Sequence, residues 1–342
     1  MITIVLLVRT NYVSLLELHN QGRNFMAYKW TCAGILAVAL ASSSALADTR
    51  IVGKSGTDSP TCGGTGVAPC LTIGTALSNA VTGGGFARVV IASNGVFQEA
   101  VTITTAAEIT VANGGFVVLA PPSGGVGITI NAGTSDSIRI YNLYFGGGSG
   151  AALNAIAFNG GSRLELHNVQ VRGFGGPALN LTPSGGTSSD VLIVDSDIAE
   201  NSNSCVLLQP NGIAGNGYII NSRIHNCSTL GVRADSQNTT GFVKILLSRS
   251  LVYGVGATAV SAASGTAGGT ARVFIEDSDI SAASNGIVAN GAKAQLVLNR
   301  SSVTGNSLGS NAVGGGVVYS YGNNVLQFNT NNGPAPTPVA LQ

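Results

Sequence analysis

Val191-Leu192-Ile193-Val194-Asp195-Ser196-Asp197-Ile198 is followed by Gly217-Tyr218-Ile219-Ile220-Asn221-Ser222-Arg223-Ile224. Then come Ile245-Leu246-Leu247-Ser248-Arg249-Ser250-Leu251-Val252 and Val273-Phe274-Ile275-Glu276-Asp277-Ser278-Asp279-Ile280. Aligned on their fifth residue, these octets are one pattern. That position extends to Asn142, Asn168, Asp195, Asn221, Arg249, Asp277 and Arg300, with gaps of 26, 27, 26, 28, 28 and 23 residues. Apolar residues stand two before this anchor (Ile140, Leu166, Ile193, Ile219, Leu247, Ile275, Leu298) and three after it (Phe145 to Val303). One residue after it runs a serine column: Ser196, Ser222, Ser250, Ser278 and Ser301. A second apolar strand follows in each unit, centred on Ile156, Leu179, Val206, Val232, Val260 and Ile287. Alternation within each run indicates strand, and the Gly-, Asn- and Ser-rich joints indicate tight turns.

A repeat of this length means a solenoid or a propeller. A propeller blade needs about 40 residues and four antiparallel strands, more than this unit holds. The Leu-x-x-Leu-x-Leu frame of leucine-rich repeats is absent, and no apolar position recurs every six residues. The remaining architecture is all-β: a right-handed parallel β-helix, the hand following from the chirality of parallel crossovers. Identical side chains on successive coils then stack into ladders. Strand patterns upstream (Val89-Val90-Ile91, Val101-Thr102-Ile103, Phe116 to Leu119, Ile128-Thr129-Ile130) bring the expected total to about ten coils, roughly 50 Å at strand spacing. Ile73, Leu77, Ala80 and Val81 form a helical stripe suited to an N-terminal capping helix. Tyr319 to Asn329 is expected to close the far end, and residues 331–342, with three prolines, to fray.

Composition narrows the class. The 342 residues include 48 glycines, about twice ordinary usage, and only 9% are charged. The 44% apolar fraction excludes a disordered chain, and a formal charge of +1 gives no nucleic-acid footprint. Met26-Ala-Tyr-Lys-Trp, the apolar run Cys32 to Leu40 and Ala45-Leu46-Ala47 have the layout of an export signal cleaved after Ala47. Residues 1–25 fit no export scheme, so translation is expected to start at Met26. The expected division is 1–47 as signal, 48–330 as one β-helix domain and 331–342 as tail. The apolar run is too short to span a bilayer, which points to an exported protein, periplasmic, cell-surface or extracellular. In an oxidising compartment Cys62 and Cys70 are expected to pair across their glycine-rich loop. No His or second Cys pair is near enough in sequence to make this a metal site. Cys205 and Cys227 occupy different repeat positions, so simple stacking does not join them.

The opening Val52-Gly53-Lys54-Ser55-Gly56-Thr57-Asp58, the Cys62–Cys70 loop with its following helix, and the closing Ser320-Tyr321-Gly322-Asn323-Asn324 resemble exported β-helix repeat proteins of the pectate-lyase-like group. The resemblance covers Ile51 to Asn329 and implies the fold; chemistry differs widely within the group. The Gly-His-Gly motif of polygalacturonase-like hydrolases is absent, and Arg223-Ile224-His225 is the only near match to their Arg-Ile-Lys. The Asp-Pro-His-Glu of alginate-modifying epimerases is also missing. Asp195/Asp197 and Asp277/Asp279 lie three coils apart, about 14 Å, too far for a shared ion or for paired-carboxylate glycoside hydrolysis.

Two residues after the anchor, Asp197, Arg223, Leu251 and Asp279 form one outward column. Asp197 and Arg223, on adjacent coils with His225 nearby, either line a groove in which Arg223 holds a sugar carboxylate or form a solvated ion pair. His167 and His225 read as surface turn residues rather than bases. Tyr141 and Tyr144 offer a sugar-stacking face or pack beneath a loop. Gly146-Gly147-Gly148 lacks the setting of a phosphate loop and reads as a turn. The function expected is binding or decoration of extracellular polysaccharide or a cell-surface glycan, with no cofactor and no metal. The alternatives are a carbohydrate lyase or hydrolase using Asp197, Arg223 and Asp279, and a structural stalk.

Overall fold

The computed structural model describes residues 2–9, 12–19, 48–81, 85–148, 151–265 and 268–340. The expected export signal at 26–47, with its expected cleavage after Ala47, lies outside these residues. The chain divides into two compact units, Met1–Leu46 and Ala47–Gln342. In the first, Ile2–Arg9 and Tyr12–His19 pair as antiparallel strands.

The second unit is a parallel β-solenoid. Its strands form three parallel sheets of 12, 9 and 9 strands, which the chain visits in turn on each coil from Ala87–Ile91 to Leu308–Val313. One coil shows the plan: Ser188–Val194 in the first sheet, Asp197–Ala199 in the second and Val206–Leu208 in the third, before Ala214–Ile220 returns to the first. Val191 and Ile193, Ile198, and Val206 and Leu208 point inward and are at most 1% exposed. Stacked over the coils, such residues make one continuous core.

Closing a coil this tightly requires sharp corners at fixed places. The anchor residues are the first corner: Asn142, Asn168, Asp195, Asn221, Arg249, Asp277 and Arg300 all have φ between 46° and 60°. Asn and Asp tolerate this left-handed region better than other side chains. Arg300 adopts it while its guanidinium holds Asp277 at 2.7 and 2.9 Å and Glu276 at 2.8 Å. That hydrogen-bonded cation keeps the Asp277 carboxyl below its ordinary range. A second left-handed corner falls five residues on, at Gly173, Glu200, Asn226, Gly254, Ala282 and Gly305. The six three-residue strands of the second sheet from Gln170–Arg172 to Ser302–Thr304 therefore each sit between two such corners.

The serine column secures the first corner. Each hydroxyl donates to the carbonyl two residues before it, as in Ser222 to Ile220 and Ser250 to Ser248, both at 2.8 Å. Each also accepts a backbone N–H from the coil before. Val169, Ser196, Ser222, Ser250 and Ser278 donate in this way at 3.1 to 3.2 Å. Asn324 Oδ1 ends the ladder by accepting from Ser301 N at 2.8 Å. The five serines are 2–6% exposed, so backbone groups that no sheet can pair at the bend are satisfied away from water.

At the N-terminal end, helix α1 (Ile73–Val81) buries Ile73, Ala76, Leu77 and Ala80 and packs on Asp48–Val52, Ala87–Ile91 and Val101–Ile103. Val81, placed in the same stripe by its spacing, is 37% exposed. Two carboxylates hold the start of α1. Asp58 accepts from Leu71 N and Thr72 N at 2.9 and 3.0 Å, and Glu99 from Ile73 N and Gly74 N at 2.8 and 3.0 Å. Cys62 and Cys70 are bridged, and so are Cys205 and Cys227, contrary to the stacking argument. The turn after the second sheet folds inward, so positions six and ten residues past the anchor both reach the core, with Cα atoms 5.8 Å apart. Residues 331–340, expected to fray, continue the ladders. Asn331 bridges Leu308, Thr337–Pro338 lies parallel to Tyr319–Ser320, and Val339 N donates to Ser320 O at 2.9 Å. Proline at a sheet edge leaves no inner N–H unpaired.

Ser250→Ala should destabilise the protein by about 1–3 kcal/mol, because Ser222 N is left buried and unpaired. Ser228→Ala, at an exposed position, should stay within about 0.5 kcal/mol. Urea unfolding of both variants measures the difference. Burial raises the Asp58 carboxyl, but hydrogen bonds from Thr72 and Leu71 outweigh it and hold the group below its ordinary 3.8. A depressed carboxylate stabilises the fold above its unfolded pKa, and that contribution disappears as pH falls through the folded value. The melting temperature of the parent should therefore fall more steeply than that of Asp58→Asn as pH drops below about 4.

Candidate functional site

The outward face of the second sheet gathers the polar chemistry. Its strands place two side-chain columns outward, at two and four residues past the anchor. The first runs Tyr144, Gln170, Asp197, Arg223, Leu251, Asp279 and Ser302, and the second Gly146, Arg172, Ala199, His225, Tyr253, Ser281 and Thr304. Asp197 is the hub. Its Oδ2 accepts from Arg223 at 2.5 Å, and its Oδ1 lies 3.0 Å from His225 Nε2 and 3.4 Å from Arg172 Nη2. Arg172 also holds Glu200 at 2.6 Å. The aspartate side chain is 10% exposed, whereas Arg223 is 63% exposed. The carboxylate is thus enclosed, and Arg223 presents its guanidinium to solvent.

The structure brings Asp197, Arg223 and His225 together and leaves Asp279 apart. Asp279 pairs with Ser302 Oγ, and three ladder steps separate it from Asp197. Neither histidine is a surface turn residue. Both end strands, His167 in Arg163–His167 and His225 in Arg223–His225. His225 is 6% exposed and stacks on Tyr253, with centroids 4.6 Å apart and planes at 6°. His167 stacks on Tyr141 at 4.9 Å and lies 3.5 Å from Glu165. Strand spacing in a parallel ladder matches ring-stacking distance, so rings at equal positions on neighbouring coils stack. Asp197 stands at Nε2 of His225, and Nδ1 is buried without a hydrogen-bond partner.

Two clefts continue this face towards the N-terminal coils, sharing Tyr144. One, of about 420 Å³, is lined by Gly146, Gly147, Gly148, Arg172, Glu200 and Ser202; the other, of about 280 Å³, by Phe116, Asn142, Asn168 and Gln170. Phe116 and Tyr144 meet at 5.7 Å between centroids, and Phe116 is 62% exposed. A cavity of similar size between α1 and Thr102–Thr105 carries no ionisable side chain, which makes it the poorer candidate. Asp58, Cys62 and Cys70 offer ligand atoms within 4.8 Å of one another, but the sulfurs are bonded to each other and Asp58 accepts from the Leu71 and Thr72 N–H groups just before α1. Arg172, Glu200 and Tyr253 escaped the sequence analysis. Arg172 and Tyr253 fall in the column four residues past the anchor, which the same repeat register defines.

No protein-family model and no curated protein matches the chain. Among solved structures, it is similar to the pectate lyase Pel9A (13% identity, 85% of this chain and 77% of that one, TM-score 0.43). It is also similar to the pectin methylesterase PemA from Erwinia chrysanthemi (15% identity, 78% and 90%, TM-score 0.39). Both are likenesses of fold. The solenoid itself rests on the ladders described above.

Asp197→Ala should cost about 1–3 kcal/mol, since it removes the acceptor of a buried histidine and of two arginines. Arg223→Ala, which removes an exposed partner, should cost no more than about 1 kcal/mol. Paired urea-unfolding curves compare the two.

Proposed function

We propose that the protein is an exported right-handed β-helix that binds an acidic polysaccharide along the outward face of the second sheet, with α1 closing the N-terminal end of the core. The carrying observation is the continuity of that face. The Phe116–Tyr144 wall, the two clefts and the exposed Arg223 guanidinium form one track across neighbouring coils. Aromatic rings stack on pyranose C–H faces, the amides of Asn142, Asn168 and Gln170 meet hydroxyls, and Arg223 meets a carboxylate. From Tyr144 to Tyr253 the track spans four coil steps, about 19 Å at strand spacing, room for several sugar residues. Two disulfides fit an oxidising compartment. No helix among the described residues is long and apolar enough to cross a membrane.

Affinity electrophoresis of the full chain through polygalacturonate should show retardation. Arg223→Ala should weaken it by roughly ten- to a hundredfold, the range of a charge-assisted hydrogen bond, and Tyr144→Ala by about three- to tenfold. Following 235 nm absorbance and reducing ends on the same substrate, with and without calcium, tests the enzymatic alternative. Unsaturated products lost in Arg223→Ala would establish a lyase and overturn a purely binding role. Unretarded migration with no product would remove the acidic glycan.

A further inference from the structure

The first sheet carries a surface that the track on the second does not use. Its central outward column begins with alternating charge: Arg88, Glu108, Arg139 and Glu165 stand in register. Arg88–Glu108 pair at 3.0 Å and Arg139–Glu165 at 3.5 Å. From the next coil the same column turns apolar, reading Leu192, Tyr218, Leu246, Phe274, Val297 and Tyr319 on six consecutive coils. Every second member is an aromatic ring. The register places Tyr218, Phe274 and Tyr319 in line at intervals of two coils, roughly 10 Å each at strand spacing. Tyr218 is 40% exposed, and the other two rings are half-buried.

The neighbouring columns are polar along most of this length. On one side Asn216, Lys244, Arg272 and Gln295 follow in register. Arg272 donates to Gln295 at 2.7 Å and lies 5.7 Å from the Phe274 ring centre. On the other side Asn299 donates to Glu276 at 3.0 Å. An apolar strip mostly one side chain wide, between hydrogen-bonding columns, is too narrow for a protein interface, which needs about 800 Å² per partner with an apolar centre. It does suit a ligand that is itself narrow, straight, flat-faced and edged with hydroxyls.

We propose that this column is a second glycan-binding site, for an extended, uncharged β-1,4-linked polysaccharide lying parallel to the solenoid axis. In such a chain the ring orientation repeats every two pyranose units, a length close to the two-coil interval. Tyr218, Phe274 and Tyr319 would each stack on an equivalent C–H face, while the bordering amides and cations meet the equatorial hydroxyls. The charged half of the column, with its ion pairs formed, offers no such face, so the site begins at Leu192. This proposal is independent of the track on the second sheet.

The test is sedimentation of the full chain with microcrystalline cellulose, chitin and granular starch. Retention on cellulose or chitin but not starch is expected, and the two positive arms distinguish a glucan from an N-acetylglucosamine polymer. Each of Tyr218→Ala, Phe274→Ala and Tyr319→Ala should weaken retention by about three- to tenfold, and Phe274→Tyr should keep it. Circular-dichroism melting of each variant checks that the coils remain intact. No retention on either β-1,4 polymer, or retention unchanged in the triple alanine variant, would overturn the proposal. So would a dimer, detected by analytical ultracentrifugation, that the triple variant abolishes. Polygalacturonate retardation reads the other face, so failure of one site leaves the other measurable.

Discussion

From Ser196 to Ser301 the structure depends on satisfying backbone groups at a bend repeated on five successive coils. Parallel sheets pair the strands, but at each sharp corner the chain leaves one ladder before entering the next, and its amides point along the axis with no strand to receive them. A side chain must supply the acceptor, and it must be short enough to sit inside the bend. Serine does both, taking the N–H of the coil before and returning its own proton to a carbonyl two residues back. Because the column is buried, each member is obligatory in a way that a surface hydroxyl is not. The left-handed anchor just before each serine sets the direction of the corner.

This explains why so much of the fold was legible in the sequence. The anchor and the serine column are constrained chemically, so Asn, Asp and Ser recur and the repeat shows through. The second corner has the same backbone conformation, but its occupants are Gly173, Glu200, Asn226, Gly254, Ala282 and Gly305, which share no side-chain group. A conformational requirement alone therefore leaves glycine at half of the positions and no polar signature. The Cys205–Cys227 bridge was obscured for a related reason. It joins unequal repeat positions through a turn whose inward fold is not encoded in strand alternation. In the C-terminal segment the prolines hide the edge pairing, because they forbid a central strand and permit an edge one.

The candidate site was legible only in one dimension. Register put Asp197 beside Arg223, and the structure adds the direction across the strand, where His225 and Arg172 reach the same carboxylate from the parallel column. Charge there is close to balanced: two arginines face Asp197 and Glu200. The cluster's effect is therefore less a field than a shape, with Asp197 fixed, Arg172 clamped between two acids and Arg223 left facing solvent.

Coil spacing also limits what chemistry such a face can host. Carboxylates at equal positions on adjacent coils stand about 4.8 Å apart and on alternate coils about 9.6 Å, separations that bracket those of retaining and inverting glycosidases. A hydrolase on this scaffold thus needs acids one or two steps apart, both open to substrate. Here the acidic members of the outward column, Asp197 and Asp279, are three steps apart, and Asp197 is closed off by three donors. Glu200, three residues further along the same coil, shares Arg172 of the preceding coil with it. Neither Asp197 nor Asp279 therefore stands in the paired-carboxylate geometry of glycoside hydrolysis, and the feature this face turns to solvent is the Arg223 guanidinium.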